Sequence, residues 1–460
     1  MIRLFNAYFP TRTLLLTVTE AALVTLGFVL AVEFWAGTAS DASIYLLYEN
    51  GLGRIGLVVA VFLILMYYFD LYDSFVLANR REVVTRLVGV LGCAFVALAV
   101  LYYVFPEVSL GGSTLWIGVG IVGIAVPAWR RLFFVLNRSA RFSERAILYG
   151  DGPLAGPLME EMSKRSELGV RVVGFVGQSA PTVAGVPQFD DGDIEELAEK
   201  RNVQRVVVTM GDRRGKLQVE NLLKLKARGV YIQDGPEYYE SITGKIPLDS
   251  LRLSWLLFSP GFHVRTALHL YKRLFSLILG SLAIVVTSPL MLLAAAAIRL
   301  DSPGPAIFRQ KRVGEHGRLF TVYKFRSMYD GSDKEQLKPA EREDARVTGV
   351  GKWLRRTRID ELPQLFNIVK GDMAFVGPRP FVPEQEEECA QQIPFYKERW
   401  LVKPGATGWA QINRGYNVTL EDNREKLAYD LFYIKNVSLG LDLYIMFSTV
   451  KILLLGRGGR

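Results

Sequence analysis

Apolar residues fill long unbroken runs in the first third of the chain and short runs after that. One more long run follows, and then apolar positions mixed with arginine and lysine to the end. Thr13–Val32, Ile55–Tyr72, Val83–Val104 and Thr114–Leu136 are each close to the roughly 20 residues an α-helix needs to cross a bilayer. Four such runs in succession predict a transmembrane domain over residues 1–138; buried core helices are the alternative. The first run is followed by others, so it reads as a span and not as a cleaved leader. Glu20 and Asp70 lie in or at the edge of these runs, where an acid calls for a partner or a function.

Charge orients the bundle. Arg3 and Arg12 precede the first run, Arg80, Arg81 and Arg86 lie between the second and third, and Arg130, Arg131, Arg138, Arg141 and Arg145 end or follow the fourth. The other two loops carry acids, with only Arg54 at an edge. The positive-inside rule then places the N-terminus and everything after the fourth run on the cytoplasmic side.

The pattern next switches to "RAILYGDGPLAGPLMEEMSKRSELGVRVVGFVG", which reads strand, glycine turn, helix, strand. "VQRVVVTM" and "GVYIQD" read as further strands, with a helix around 216–228 between them. Residues 139–250 therefore predict a small α/β domain, followed by a linker over 251–270. Gly150, Gly152 and Ala155 approximate a dinucleotide fingerprint, but the second strand ends "FVGQ", with no acid for a ribose hydroxyl. A degenerate scaffold that docks, dimerises or senses is the expectation; cofactor binding is the alternative.

A fifth apolar run, Leu274–Ile298, would reach about 37 Å as a helix. Ser288–Pro289 interrupts it, and proline removes a helix hydrogen bond that a serine hydroxyl can replace. Both flanks are basic: Arg265, Lys272 and Arg273 before, Arg299, Arg309, Lys311 and Arg312 after. Both ends are then expected on one side, as a re-entrant helix over 271–300, with a fifth kinked span as the competing reading. The C-terminal apolar stretch reads as an interfacial helix or a core helix.

Composition adds limits. Across 460 residues, 50% are hydrophobic and the net charge is +9. That balance suits nucleic acid, anionic lipid or phosphorylated substrates. The two cysteines, Cys93 and Cys389, make neither a disulfide framework nor a zinc spacing, and His263, His269 and His316 form no metal motif.

The candidate chemistry lies in "RRTRIDELPQLFNIVKGDMAFVGPRP". Adjacent carboxylates on a helix diverge by about 100°, so Asp360 and Glu361 face different surroundings. One reading is a helix start: acids near the N-terminus, Pro363 in the first turn, and Leu365, Phe366, Ile368 and Val369 as the buried face. The other is a site. Lys324, Arg326, Arg355, Arg356, Arg358 and Arg379 would converge as a cationic pocket suited to a diphosphate. A carboxylate inside it would have a lowered pKa and serve as nucleophile or Mg²⁺ ligand.

From about Tyr271 onward the chain resembles the bacterial sugar transferases, the monotopic polyprenyl-phosphate phosphoglycosyl transferases. The likeness rests on "TSPLML", "FRQKRVGEHGRLFTVYKFRSM", "RIDELPQLFNIVKGDMAFVGPRP", "VKPGATGWAQIN" and "YDLFYIKNVSLGLDLYIMFSTVKILLLGRG". The N-terminal layout is similar to the long form, with four spans and a degenerate Rossmann-like domain. The ending "TVKILLLGRGGR" is similar to the exopolysaccharide-linked subgroup.

The resemblance implies a membrane protein with a four-helix transmembrane bundle, a small Rossmann-like α/β domain and a mixed α/β catalytic domain over 271–460. It implies transfer of a sugar 1-phosphate from a UDP-sugar to undecaprenyl phosphate with release of UMP, Mg²⁺ as cofactor and a covalent aspartyl intermediate. Asp360 would be nucleophile and metal contact, and Glu361 a metal or proton partner. Arg355 and Arg379 would contact substrate phosphates with Lys324 and Arg326 as helpers, Gln411 would bind the donor substrate, and Ser288 and Pro289 would break the re-entrant helix. The implied setting is the bacterial inner membrane, with the catalytic domain facing the cytoplasm. One departure stands out: Arg414-Gly415 replaces the family's usual Gly-Arg order, which bears on donor recognition.

Other classes fare worse. A nucleotide-sugar dehydratase needs a Tyr-x-x-x-Lys pair, and Tyr238 and Lys245 are too far apart. No nucleic-acid recognition motif appears. A non-catalytic scaffold of a polysaccharide export complex is the main alternative, and a homodimer through the α/β domain is open.

Overall fold

The computed structural model describes residues 1–73, 76, 80–138, 143–177, 186–189, 194–211, 217–251, 259, 261–262, 266–331, 344–414 and 419–455. Lys216, Gly415 and the ending 456–460, all part of the readings above, lie outside these residues. The chain divides into two compact units, residues 1–2 with 9–238 and residues 3–8 with 239–460.

An N-terminal hairpin pairs β1 (Ile2–Leu4) with β2 (Ala7–Phe9) through Phe5 and Asn6, both at positive φ, the geometry of a two-residue primed turn. The first unit then runs through α1 (Thr11–Ala36), α2 (Ala39–Tyr48), α3 (Gly51–Tyr68), α4 (Arg80–Val104) and α5 (Gly112–Arg138). Each predicted run is a helix, and α2 is a short addition that the polar spacing did not announce. Its N-cap Thr38 accepts from the Asp41 amide. Helix α1 packs on α5 and α3, α3 on α4, and α4 on α5, around Val24, Phe28, Phe62, Val90 and Val122. Leu15, Leu26, Val96, Val100 and Ile124 face outward, exposed. Apolar both inside and out, these helices are long and apolar enough to cross a membrane.

The acids in the bundle are partnered. Arg130 donates from Nε to Glu20 Oε1 at 2.5 Å and from Nη2 to Oε2 at 2.9 Å, and the Tyr72 hydroxyl donates to Oε2 at 2.9 Å. Arg130 also donates to the Leu71 carbonyl, and Arg86 to the Phe69 carbonyl and Asp70. Two arginines thus pin the turn that leaves α3, where Asp70 sits at φ 56°.

Five parallel strands follow: β3 (Glu144–Tyr149), β4 (Val170–Val176), β5 (Gln188–Phe189), β6 (Arg205–Val208) and β7 (Tyr231–Asp234), in the order β5-β4-β3-β6-β7. Helices α6 (Ala155–Lys164), α7 (Ile194–Lys200) and α8 (Val219–Ala227) connect them. The core holds Ile147, Tyr149, Val176, Val206 and Leu225; fully burying an aliphatic side chain contributes roughly 1.5–3 kcal/mol. The fingerprint glycines answer to the protein's own backbone. A Cβ on Gly152 would stand 1.7 Å from the Thr209 carbonyl oxygen, and Thr209 Oγ1 donates to the Gly150 carbonyl at 2.5 Å. The turn is tight because β6 ends against it.

The second unit begins within α9 (Gly235–Thr243) and contains α10 (Thr266–Asp301). The residues expected to break α10 lie inside a single helix. Its C-terminal half packs Met291, Ala294 and Ile298 against Ala306, Phe325 and Leu354. Leu282, Val285, Val286, Leu292 and Leu293 are exposed, so an apolar face is left outward.

The remaining elements are β8 (Ile307–Val313), β9 (Leu319–Phe325), α11 (Gly349–Thr357), a 3-10 turn at Ile359–Glu361, α12 (Gln364–Lys370), β10 (Ala374–Val376), α13 (Pro383–Gln392), β11 (Gly405–Thr407), α14 (Trp409–Asn413), α15 (Leu420–Lys435) and α16 (Leu439–Leu454). Strands β8 and β9 form an antiparallel hairpin, and β10 pairs with β11 in parallel. Two small sheets among many helices make this unit more helical than the expected mixed α/β domain.

Candidate active site

The site is assembled by four segments of the second unit. Thr348 caps α11 by accepting from the Gly351 amide, and α11 ends where Arg358 turns left-handed at φ 59°. That reversal puts Asp360 and Glu361 in the 3-10 turn, ahead of α12 and not in its first turn. Pro363 then serves as N-cap of α12. Strand β9 brings Lys324, and the "GPRP" segment after β10 brings Arg379.

Three cations meet one oxygen. Glu361 Oε1 lies 2.9 Å from Arg379 Nη2, 3.1 Å from Lys324 Nζ and 3.7 Å from Arg358 Nη1. Against the opposing effect of burial, Lys324, Arg379 and Arg358 hold the Glu361 carboxyl far below the usual glutamate range. Such a group is ionised at neutral pH while the three cations surround it.

Asp360 is the opposite case. It is 9% exposed, and its Oδ1 is buried with no hydrogen-bond partner. Burial, followed by the Glu361 charge, pushes its carboxyl up, while Lys324, Arg355 and Arg358 pull the other way. The expected depressed carboxylate is therefore Glu361, not Asp360. The 3-10 turn aims one carboxylate at the cations and leaves the other buried, with Oδ1 unpartnered.

The other candidates divide. Arg355 is half-buried and close enough to act on Asp360, whereas Arg356 is exposed. Arg326 is buried elsewhere: it donates to the carbonyls of Pro303 and Ser302 and to the Ser302 hydroxyl, closing the end of α10. It holds structure together and is not in the cation cluster. Gln411 stands on α14, beside the close approach of Gly408 to the Gly377 carbonyl, and its buried Oε1 has no partner. Arg414 pairs with Glu425, which also takes Lys245 at 2.5 Å.

Two residues that the sequence reading treated as flank charge, or left unnamed, support Arg379. Arg312 donates to the Pro380 carbonyl at 3.1 Å, and burial, with Arg379 nearby, pushes its guanidinium down to about 10. Buried Arg399 donates to the Arg379 carbonyl at 2.9 Å and pairs with Glu386 and Asp430. The alternation of β8 could have marked Arg312 as inward; nothing local marks Arg399.

The apolar helix joins this site at both ends. Lys272 Nζ lies 3.0 Å from Asp442 Oδ2 and 2.5 Å from the Tyr433 hydroxyl, which itself donates to the Val376 carbonyl. Arg273 donates to the Ile368 and Val369 carbonyls at the end of α12. Positive charges that the topology rule reads as flanks are docked on backbone carbonyls of the site.

A membrane-associated chain with a carboxylate pair in a cationic pocket defines a class: enzymes that handle phosphorylated substrates at a bilayer. The chain belongs to the bacterial sugar transferase family, whose model matches residues 267–456; a CoA-binding domain model matches residues 67–227. The chain is 35% identical to the UDP-glucose:undecaprenyl-phosphate glucose-1-phosphate transferase of Klebsiella pneumoniae, over 70% of each protein. It is 30% identical to the enzyme of that name from Xanthomonas campestris pv. campestris, over 97% of this chain and 94% of the relative. The UDP-N-acetylgalactosamine-undecaprenyl-phosphate N-acetylgalactosaminephosphotransferase of Aeromonas hydrophila is 44% identical over 48% of this chain, a match spanning only about half (52%) of that relative.

Proposed function

We propose that this protein transfers a sugar 1-phosphate from a UDP-sugar to undecaprenyl phosphate, releasing UMP, as the first membrane step of polysaccharide assembly. The observation that carries the reading is Asp360 Oδ1, a buried carboxylate oxygen without a donor, next to a carboxylate that gathers three cations. An oxygen with no hydrogen bond keeps its lone pairs available for attack.

In the first half-reaction Asp360 attacks the β-phosphorus. An oxygen–phosphorus bond forms, the bond to the bridging oxygen breaks, and UMP leaves with the electron pair. In the second, a phosphate oxygen of the lipid attacks the aspartyl phosphosugar and expels the carboxylate, giving the lipid diphosphate sugar. Glu361 holds Lys324, Arg358 and Arg379 at one point until the diphosphate takes their charge, so little rearrangement is needed. Arg355 offsets charge beside Asp360.

A Mg²⁺ ion would take the Asp360 carboxylate as its one protein ligand, with the remaining positions left to substrate phosphates. Asp360 would hold the ion. When bound, it neutralises charge on the diphosphate.

The re-entrant topology belongs to the same proposal. Lys272 and Arg273 at one end of α10, and Ile298–Ser302 at the other, are bonded to the same catalytic unit. A helix held at both ends by one unit would dip into one leaflet and return by bending at Pro289, which lies inside it. With the outward apolar residues of α16, Leu443, Phe447, Val450 and Leu454, it seats the site at the headgroup plane of the inner membrane, facing the cytoplasm where nucleotide sugars are. The α1, α3, α4 and α5 helices would be the spans of the transmembrane bundle.

The test is UMP release by protein in lipid nanodiscs given undecaprenyl phosphate, Mg²⁺ and a panel of UDP-sugars. Release from one sugar, lost in Asp360→Asn, is the expected result. No UMP from any UDP-sugar with folded protein would remove the reading and favour the scaffold alternative.

A further inference from the structure

Asn367 is a polar residue with none of its surface exposed, in a stretch that the apolar pattern marks as core. The expected buried face named Phe366, which is 48% exposed, and passed over its neighbour. The Asn367 amide oxygen accepts from the Tyr323 N–H at 3.0 Å, and its amide nitrogen donates to the Thr321 carbonyl at 2.7 Å. Thr321 and Tyr323 lie on β9, whose opposite edge is taken by β8. One side chain thus supplies the donor and acceptor that a third strand would supply.

Its main chain is engaged as well. The Asn367 carbonyl accepts from the N–H groups of Gly371, Asp372 and Met373 at 3.0, 3.0 and 3.3 Å. Met373 leads into β10 and on to Arg379. Lys324 directly follows Tyr323. The two segments bonded to Asn367 are therefore those that deliver Lys324 and Arg379 to Glu361 Oε1.

A satisfied core amide would explain the burial and the side-chain bonds. It would not explain why both anchored segments lead to the same carboxylate oxygen. We infer that Asn367 is a positioning residue for the transfer: it sets the spacing of Lys324 and Arg379 across Glu361, and so the seat of the diphosphate. The inference rests on the reaction proposed above. Asn367 itself touches no reacting atom.

The test uses full-length protein in nanodiscs with Asn367→Ala, Asn367→Asp, Lys324→Ala and the Asn367→Ala/Lys324→Ala pair. Asn367→Asp keeps the acceptor for Tyr323 and loses the donor to Thr321; it also carries the comparison if Asn367→Ala does not fold. Asn367→Ala is expected to lower kcat/KM about tenfold or more, with Asn367→Asp in between. In the Lys324→Ala background the same change should cost less than about twofold in activity, while its loss in Tm is the same in both backgrounds. General loosening would instead multiply the two activity losses, and that result, or unchanged kcat/KM in both Asn367 variants, overturns the inference.

Amide hydrogen exchange without substrate gives the second readout. Segment 319–325, held by the side chain, should exchange faster in the Asn367 variants, and 371–373, held by the main-chain carbonyl, should change less; a change confined to α12 overturns the coupling. If wild type releases no UMP, the proposed reaction falls, and exchange still decides whether Asn367 ties the two segments.

Discussion

The Ser288 hydroxyl donates to the Val285 carbonyl at 2.8 Å, and that carbonyl is the one Pro289 leaves without an amide partner. The serine repairs what the proline removes, so α10 continues through the pair. Against lipid an unmet carbonyl is costly. Ser288→Ala should lower stability by about 1 kcal/mol. In a Pro289→Ala background it should cost almost nothing, because the new amide serves Val285. Unfolding midpoints of the four proteins in one nanodisc composition check this.

Both ends of α10 are bonded to the catalytic unit, and topology can be read from them. Ala267 and Leu300 are exposed near its two ends. Single cysteines there, with Cys93 and Cys389 replaced, should both react with a membrane-impermeant maleimide from the cytoplasmic face only. Labelling of the two from opposite faces would establish a crossing helix and remove the re-entrant reading.

Glu361 gathers the cations and Asp360 does not, so the two neutral amides should behave differently. Asp360→Asn should abolish both UMP release and any covalent phosphosugar. Glu361→Gln should retain the covalent species and slow its formation about a hundredfold, the range for loss of one element of preorganised charge. Rapid-quench trapping of labelled phosphosugar on protein separates the two. Equal loss of the adduct in both would place Glu361 at the bond-making step.

Chelation tests the ion directly. Excess EDTA should abolish UMP release, and added Mg²⁺ should restore it, while Tm stays within about 2 °C, because the proposed contact would be one carboxylate and not a structural cage. A full rate in EDTA would remove Mg²⁺ from the reaction.

Two buried carboxylates, Glu386 and Asp430, share the Arg399 guanidinium. Burial pushes the Asp430 carboxyl up from 3.8 to about 6, Arg399 opposing and Glu386 adding to it. The folded state therefore binds this proton more tightly than the unfolded chain. The stability it contributes is present below pH 4 and is lost as pH rises through 6, a change of about 3 kcal/mol. Asp430→Asn should flatten denaturation midpoints between pH 4 and 6. An unchanged slope would assign the pH dependence elsewhere.

Much of this was legible one residue at a time. The four N-terminal runs and the fifth became helices because length and apolarity are local properties, and the β3, β4, β6 and β7 strands followed their short apolar runs. The Ser288–Pro289 pair even announced its own repair, since donor and acceptor are three residues apart. The Asp360–Glu361 pair stood out through its arginine neighbours and the motifs around it.

What the sequence could not rank was the arginines and lysines. Arg326 and Lys324 are two apart on or beside one strand, yet Lys324 reaches Glu361 and Arg326 closes the end of α10. Lys272 and Arg273 look like membrane flanks and instead hold Val376 and the end of α12.

The sequence by itself determined which segments are apolar enough for a bilayer, which short apolar runs are strands, and which two carboxylates sit among cations. Only the tertiary structure decided that Glu361 takes the charge while Asp360 is buried away from it, and that Asn367 stands in for a missing strand. Those outcomes depend on groups far apart in the chain meeting within hydrogen-bond reach, set by a left-handed Arg358 and by how β9 and β10 close on α12. Local composition cannot encode such distances, because they are the sum of every turn between.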